Sequence, residues 1–212
     1  MFLLQSEIIG AFATGVIGPV IVVFSKHFLD KRKNKKELAK KDPISEVLKS
    51  NIQVESKISE MLEEYGANRV WINQFHNGGN FYPTGKSIHK FSMFYEVVSP
   101  NTHSIKDSFQ NIPVSLFSRS INRLLEEDII EIPNFDDENI TTYGLCYVAG
   151  EYGTKSSYEF AIKSIEGKFI GILGIDFTSH PKILTPEQIS DIRVEVTSIG
   201  GVLVNHILKY VW

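Results

Sequence analysis

A chain of 212 residues, 42% hydrophobic and 22% charged, is long enough for one sizeable core with appendages and too short for two full enzyme domains. Its formal net charge of -3 gives no global attraction to nucleic acid, so none is expected as a partner. The single cysteine, Cys146, excludes an intrachain disulfide and a CxxC metal or redox pair, which fits a reducing compartment.

The chain opens on an apolar run. From Ile8 to Phe24 there is no charge, and Thr14 is the only clearly polar side chain. As a helix this run covers roughly 25 Å, and Met1 to Leu4 extend it toward the ~30 Å hydrocarbon core of a bilayer. A cleaved signal peptide would carry positive charge before its apolar stretch, whereas here Glu7 precedes and lysines follow. The reading is one transmembrane helix over residues 1–25. Gly10, Thr14 and Gly18 recur on one face of it, where a second helix could approach closely.

Residues 26–42 form a polybasic juxtamembrane linker containing Lys26, Lys31, Arg32, Lys33, Lys35, Lys36, Lys40 and Lys41. By the positive-inside rule these keep the linker cytoplasmic, which puts the short N-terminus outside and the globular part inside. Membrane lipid is the expected partner, since each such lysine is worth about 1 kcal/mol against anionic headgroups.

Asp42-Pro43 starts a helix, with Asp as N-cap and Pro at its first position. Its apolar positions Ile44, Val47, Val54, Ile58, Met61 and Tyr65, with Asn51 at the one polar seam position, fit either a dimeric coiled coil or a stripe laid on the chain's own sheet. The expectation taken forward is a homodimer through paired helices. Arg69 to Phe75 then reads as a strand, broken by His76-Asn77-Gly78-Gly79-Asn80, and a second strand runs near Lys90 to Val98. Pro113 opens a helix with Val114, Phe117, Ile121 and Leu124 on one face. Further strands are expected near 129–132, 143–148, 158–164 and 168–178, the last two joined by a turn at Glu166-Gly167. Thr185-Pro186-Glu187-Gln188 is a capping box that starts a long terminal helix, whose Gly200-Gly201 implies close approach to another helix. These elements predict an α+β domain over residues 43–212, built on an antiparallel sheet flanked by N- and C-terminal helices.

Several phrases carry a resemblance: RVWINQFHNG at Arg69 to Gly78, IPVSLFSRSI at Ile112 to Ile121, EFAIKSIEGKFIGILGIDF at Glu159 to Phe177, and LTPEQI at Leu184 to Ile189. Together they resemble the GAF family of small-molecule sensor domains over roughly Ile44 to Tyr210. The resemblance implies a ligand on one face of the sheet, beneath a helix and loops. Carried onto this chain, it lines the pocket from Phe75, His76, Asn77, Ser92, Phe94 and Tyr147, with Tyr82, Tyr152 and Ser156 in flanking loops. Aromatic walls with a few polar groups suit a small ligand. The signature of cyclic-nucleotide-binding members is not present in its usual form; Asn134-Phe135-Asp136-Asp137-Glu138 reads as a solvated acidic turn. The six histidines are scattered without HExxH or paired Cys/His spacing, so no metal site and no catalytic residue is assigned. The ligand and any cofactor are left unassigned. The expected function is a membrane-anchored, non-enzymatic sensor or regulator signalling through paired helices. The alternatives are a membrane scaffold with a closed pocket, or a membrane-active protein regulated by its soluble domain.

Overall fold

The computed structural model describes residues 26–27, 29–31, 43–80, 84–137 and 150–208. The transmembrane helix expected over 1–25, most of the polybasic linker and the strand expected at 143–148 lie outside these residues. Among the described residues no helix is long and apolar enough to cross a membrane. Contacts divide the chain into Met1–Val47 and Leu48–Trp212. Within the first unit, residues 26–27 and 29–31 are helical and exposed.

The globular elements run α1 (Pro43–Glu64), β1 (Arg69–Asn80), β2 (Ser87–Val98), β3 (Ile112–Pro113), α2 (Ser118–Glu127), β4 (Ile129–Ile132), β5 (Ser156–Lys163), β6 (Phe169–Phe177) and α3 (Pro186–Leu208). The strands form one sheet in the order β3-β2-β1-β6-β5-β4, antiparallel at every pairing. This is the α+β arrangement that the sequence predicts.

Strand alternation builds two cores, one on each face of the sheet. On one face Val70 and Ile72 of β1, Tyr158, Phe160 and Ile162 of β5 and Leu173, Ile175 and Phe177 of β6 pack beneath α1 and α3. On the other, Trp71, Phe91, Met93, Ile130, Ile132, Ala161 and Ile172 pack beneath Ile121 and Leu124 of α2 and the loop that carries Ile105 and Phe109. These are called the helical face and the loop face below.

The stripe on α1 resolves in favour of the sheet. Val54, Ile58, Met61 and Tyr65 are all buried in the helical-face core, and the Asn51 side-chain oxygen accepts a 2.7 Å hydrogen bond from the Tyr95 hydroxyl. The expected coiled-coil seam is therefore used within the chain from Asn51 onward. Leu48 and Ile52 remain exposed on the same helix.

Two glycine features explain departures from the expected elements. His76 to Asn80 continues β1 instead of ending it, because Gly78 lies where a Cβ would meet Lys90 Cδ at 2.4 Å and Gly79 takes φ +102°, across a register shift between Asn77 and Asn80. A Cβ on Gly200 would lie 2.7 Å from the Lys163 carbonyl oxygen, while Gly201 has nothing within 4 Å. The close approach is thus to strand β5 and not, as expected, to another helix. Pro113 ends the short strand β3 and leads through a 3-10 turn, Val114–Phe117, into α2. Two local readings hold. Gly167 adopts φ +76° in the β5–β6 turn, and Thr185 and Gln188 cap α3 reciprocally, at 3.2 Å (Gln188 N–H to Thr185 Oγ1) and 3.0 Å (Thr185 N–H to Gln188 Oε1).

Candidate functional site

The residues expected to line a pocket do not share one face. Phe75 packs edge-on against Phe91 and Phe169, with ring centroids 6.5 and 4.8 Å away, and belongs to the loop-face core. His76, the next residue, points the other way: its Nε2 lies 2.9 Å from Ser92 Oγ and its ring meets Phe94 at 6.4 Å. Ser92 also accepts the Asn111 N–H at 2.8 Å. His76, Ser92 and Phe94 therefore form a local cluster on the opposite side of the sheet from Phe75, with Phe94 about half exposed. Asn77 is exposed. Ser156, expected in a flanking loop, is the first residue of β5, fully buried, and accepts the Lys182 N–H at 2.9 Å. Tyr152 contacts Phe109, with centroids 6.2 Å apart. Tyr82 and Tyr147 lie outside the described residues, as does Cys146.

The loop face instead carries a buried polar network that starts at the first residue of β1. Antiparallel register sets Asp176 of β6 opposite Arg69, and Ser157 of β5 opposite Asp176. Arg69 and Asp176 are both fully buried, and Arg69 Nη1 donates to Asp176 Oδ2 at 3.0 Å. The same oxygen accepts the Trp71 indole N–H at 3.0 Å, and Oδ1 accepts the Ser157 hydroxyl at 2.7 Å. Burial pushes the Asp176 carboxyl above its ordinary range, opposed by the charge of Arg69 and by these three hydrogen bonds.

Arg69 also reaches the loop after β2. Nη2 donates to the His103 carbonyl at 2.8 Å, and Nε lies 3.5 Å from Glu96 Oε1. Glu96 in turn accepts the Ser104 hydroxyl and the N–H groups of Ile105 and Lys106, the latter two at 2.8 and 3.2 Å. One guanidinium thus ties β6 to the 103–106 loop. In the middle of the face Trp71 lies against Gly174, where a Cβ would come within 2.1 Å of the indole. Beside it Asn73 is buried, with no hydrogen-bond partner for either amide atom.

At the edge of this face, between the end of β4 and the start of β5, a cleft of about 450 Å³ is lined by Phe135, Asp136, Gly150, Glu151, Thr154 and Lys155. Thr154 forms its buried inner end and accepts a long hydrogen bond, 3.4 Å, from Arg69 Nη1. Lys155 sits between Phe177 and Phe135, its N–H donating to the Phe177 carbonyl at 2.7 Å and its carbonyl accepting the Phe135 N–H at 2.8 Å. Lys155 Nζ pairs with Asp136 at 3.5 Å across the mouth. The volume lies within the ~300–1,000 Å³ range of small-molecule sites. Phe135 and Asp136 come from the segment read as an acidic turn, where the Asp136 N–H donates to Asn134 Oδ1 at 3.0 Å. The turn comes beside Gly150, Glu151 and Gly153 through the backbone hydrogen bond between Phe135 and Lys155, a proximity that no local sequence pattern signals.

No protein-family model matches the sequence, and no curated protein matches it significantly. Solved structures do match in shape. The GAF domain of PixJ from Thermosynechococcus elongatus, in its blue-light-absorbing form, aligns with a TM-score of 0.59 at 14% identity, covering 78% of this chain and 90% of that one. The phycocyanobilin-bound GAF domain of a cyanobacterial phytochrome gives 0.59 at 14% identity, with 81% and 99% covered. A far-red cyanobacteriochrome photoreceptor gives 0.57 at 14%, with 84% and 96% covered.

The chain has the GAF fold. Identities this low carry the fold and leave function to the site. Among the described residues of this GAF-fold chain, the centre of the loop face is filled by Trp71 and the Arg69 network, and a cleft lies at its edge beside Thr154.

Proposed function

We propose that this GAF-fold chain is a membrane-anchored, non-catalytic regulator that senses a small molecule in the edge cleft and passes its state to a partner through its terminal helices. The observation that carries this reading is the path from Thr154 at the cleft's inner end through Arg69 to Asp176 and the 103–106 loop. A ligand that displaces Thr154 alters a buried hydrogen bond and thereby the loop that Arg69 holds. The anchor is the apolar run Ile8 to Phe24, with the following lysines holding the globular part at the cytoplasmic side and against anionic lipid. A second copy would meet α1 through Leu48 and Ile52, the apolar positions that the chain's own sheet leaves exposed.

The bilin of the phytochrome neighbour is not part of this proposal. Among the described residues Trp71 sits against Gly174, with Phe91, Met93 and Ile172 packed in the same core, so the centre of this face is filled by the chain's own side chains. That same closure favours a second reading, a scaffold that recruits a protein partner to the bilayer without a small ligand.

A thermal-shift screen of the full chain in detergent, against nucleotides and metabolites, separates the two. A ligand at 100 times its dissociation constant should raise the melting temperature by about 5–10 °C, and Lys155→Glu or Phe135→Ala should remove the shift. A shift untouched by both substitutions overturns the cleft as the site. A panel without any stabilising compound moves the assignment to the scaffold.

A further inference from the structure

A second cleft, of about 180 Å³, lies at the other end of β5, where Lys163 and Ser164 of the strand end meet Arg193, Val196 and Thr197 of α3 and Asp128 at the end of α2. Two features fix its geometry. The approach of α3 to β5 at Gly200, too close for any side chain, holds Thr197 and Arg193, one and two turns earlier on the helix, at a set distance from Lys163 and Ser164. Asp128 adopts a left-handed φ of 66° as the C-cap of α2, and its carboxylate pairs with Lys163 Nζ.

The charges do not cancel. Lys163 and Arg193 supply two cations against the one carboxylate of Asp128, and among the described residues no carboxylate pairs with Arg193. Glu127, the nearest acid in sequence to Asp128, is taken by Arg123 at 2.9 Å, and Glu195, on the same helix as Arg193, by Lys57 at 2.7 Å. Ser164 Oγ accepts the Lys168 N–H at 3.1 Å, which leaves its own hydrogen to donate. The Thr197 hydroxyl already donates to the Arg193 carbonyl at 2.9 Å. A guanidinium, an ammonium and a hydroxyl donor around a floor formed by Val196 match the oxygens of a tetrahedral oxyanion, for which guanidinium geometry is well suited. The volume leaves room for a phosphate group.

We propose that this cleft binds a phosphate group, either as free phosphate or as a lipid headgroup. It draws on none of the residues of the edge cleft, so the two stand or fall separately.

The test is thermal unfolding of the full chain in detergent with inorganic phosphate, against chloride at equal ionic strength. A parallel arm uses phosphatidylcholine vesicles with and without phosphatidic acid. Phosphate at ten times its dissociation constant should raise the melting temperature by about 4 °C, and Arg193→Ala, an exposed helix position, should abolish the rise while leaving the melt in chloride unchanged. A rise with phosphate assigns the free anion. A rise that depends on Arg193 and appears only with phosphatidic acid assigns the headgroup. No rise in either arm, or the same rise in Arg193→Ala, overturns the site. Lys163→Gln serves as a second variant and should also abolish the rise, from a lower melt in chloride because it leaves Asp128 without its ion-pair partner.

Discussion

Arg69→Met lowers the stability of the domain by about 3–5 kcal/mol, the cost of leaving buried charge without its partner. The residue is fully buried and, among the described residues, is the guanidinium that lies between Asp176 and Glu96. Removing it strands two carboxylates in a low-dielectric interior and frees the His103 carbonyl. Urea denaturation of the full chain, read by tryptophan fluorescence, measures the loss. Pairing the substitution with Asp176→Leu should restore part of it, because an apolar pair of similar volume does not carry the desolvation cost. A loss below about 1 kcal/mol for Arg69→Met would show that the network is solvated and does not hold the 103–106 loop.

Trp71→Ala is expected to cost about 3–5 kcal/mol by the same measurement, from lost burial and the cavity that remains. It removes the indole lying on Gly174 and one of the three donors to Asp176. The space it leaves is apolar on the sides of Phe91, Met93 and Ile172, so free indole should bind there and recover part of the lost melting temperature. A variant as stable as wild type, or indifferent to indole, would mean that the centre of the loop face is open in solution.

How far the sequence discloses this arrangement differs from residue to residue. The capping box at Thr185 and Gln188 and the turn at Gly167 were legible because each depends on residues three or four apart. The role of Arg69 was not. It opens a strand like any exposed arginine, and its partners Asp176 and His103 lie 107 and 34 residues away, joined only once strand register is set. The stripe on α1 was legible as a stripe, but a helical pattern alone does not say whether a sheet or a second helix covers it. Asn51 belongs with the sheet because Tyr95 reaches it, a contact between distant segments.

The candidate site shows a limit of a different kind. Phe75 and His76 are adjacent in one strand, and strand alternation alone sends them to opposite faces. That alternation is legible in the sequence, whereas a family resemblance groups residues by motif and does not separate the two faces. The edge cleft was less accessible to sequence reasoning. Phe135 and Thr154 meet only because the Lys155 backbone bonds both the segment after β4 and the end of β6.

In the function proposed above, a small molecule is held at the edge of the loop face and not over its centre. A crystal structure of the full chain purified from cells in detergent tests it most directly. Ligand density is expected between Phe135, Thr154 and Lys155, with Trp71 still seated on Gly174. Density over the central strands, with Trp71 displaced and a ligand hydrogen-bonded to the Asn73 amide, would contradict it.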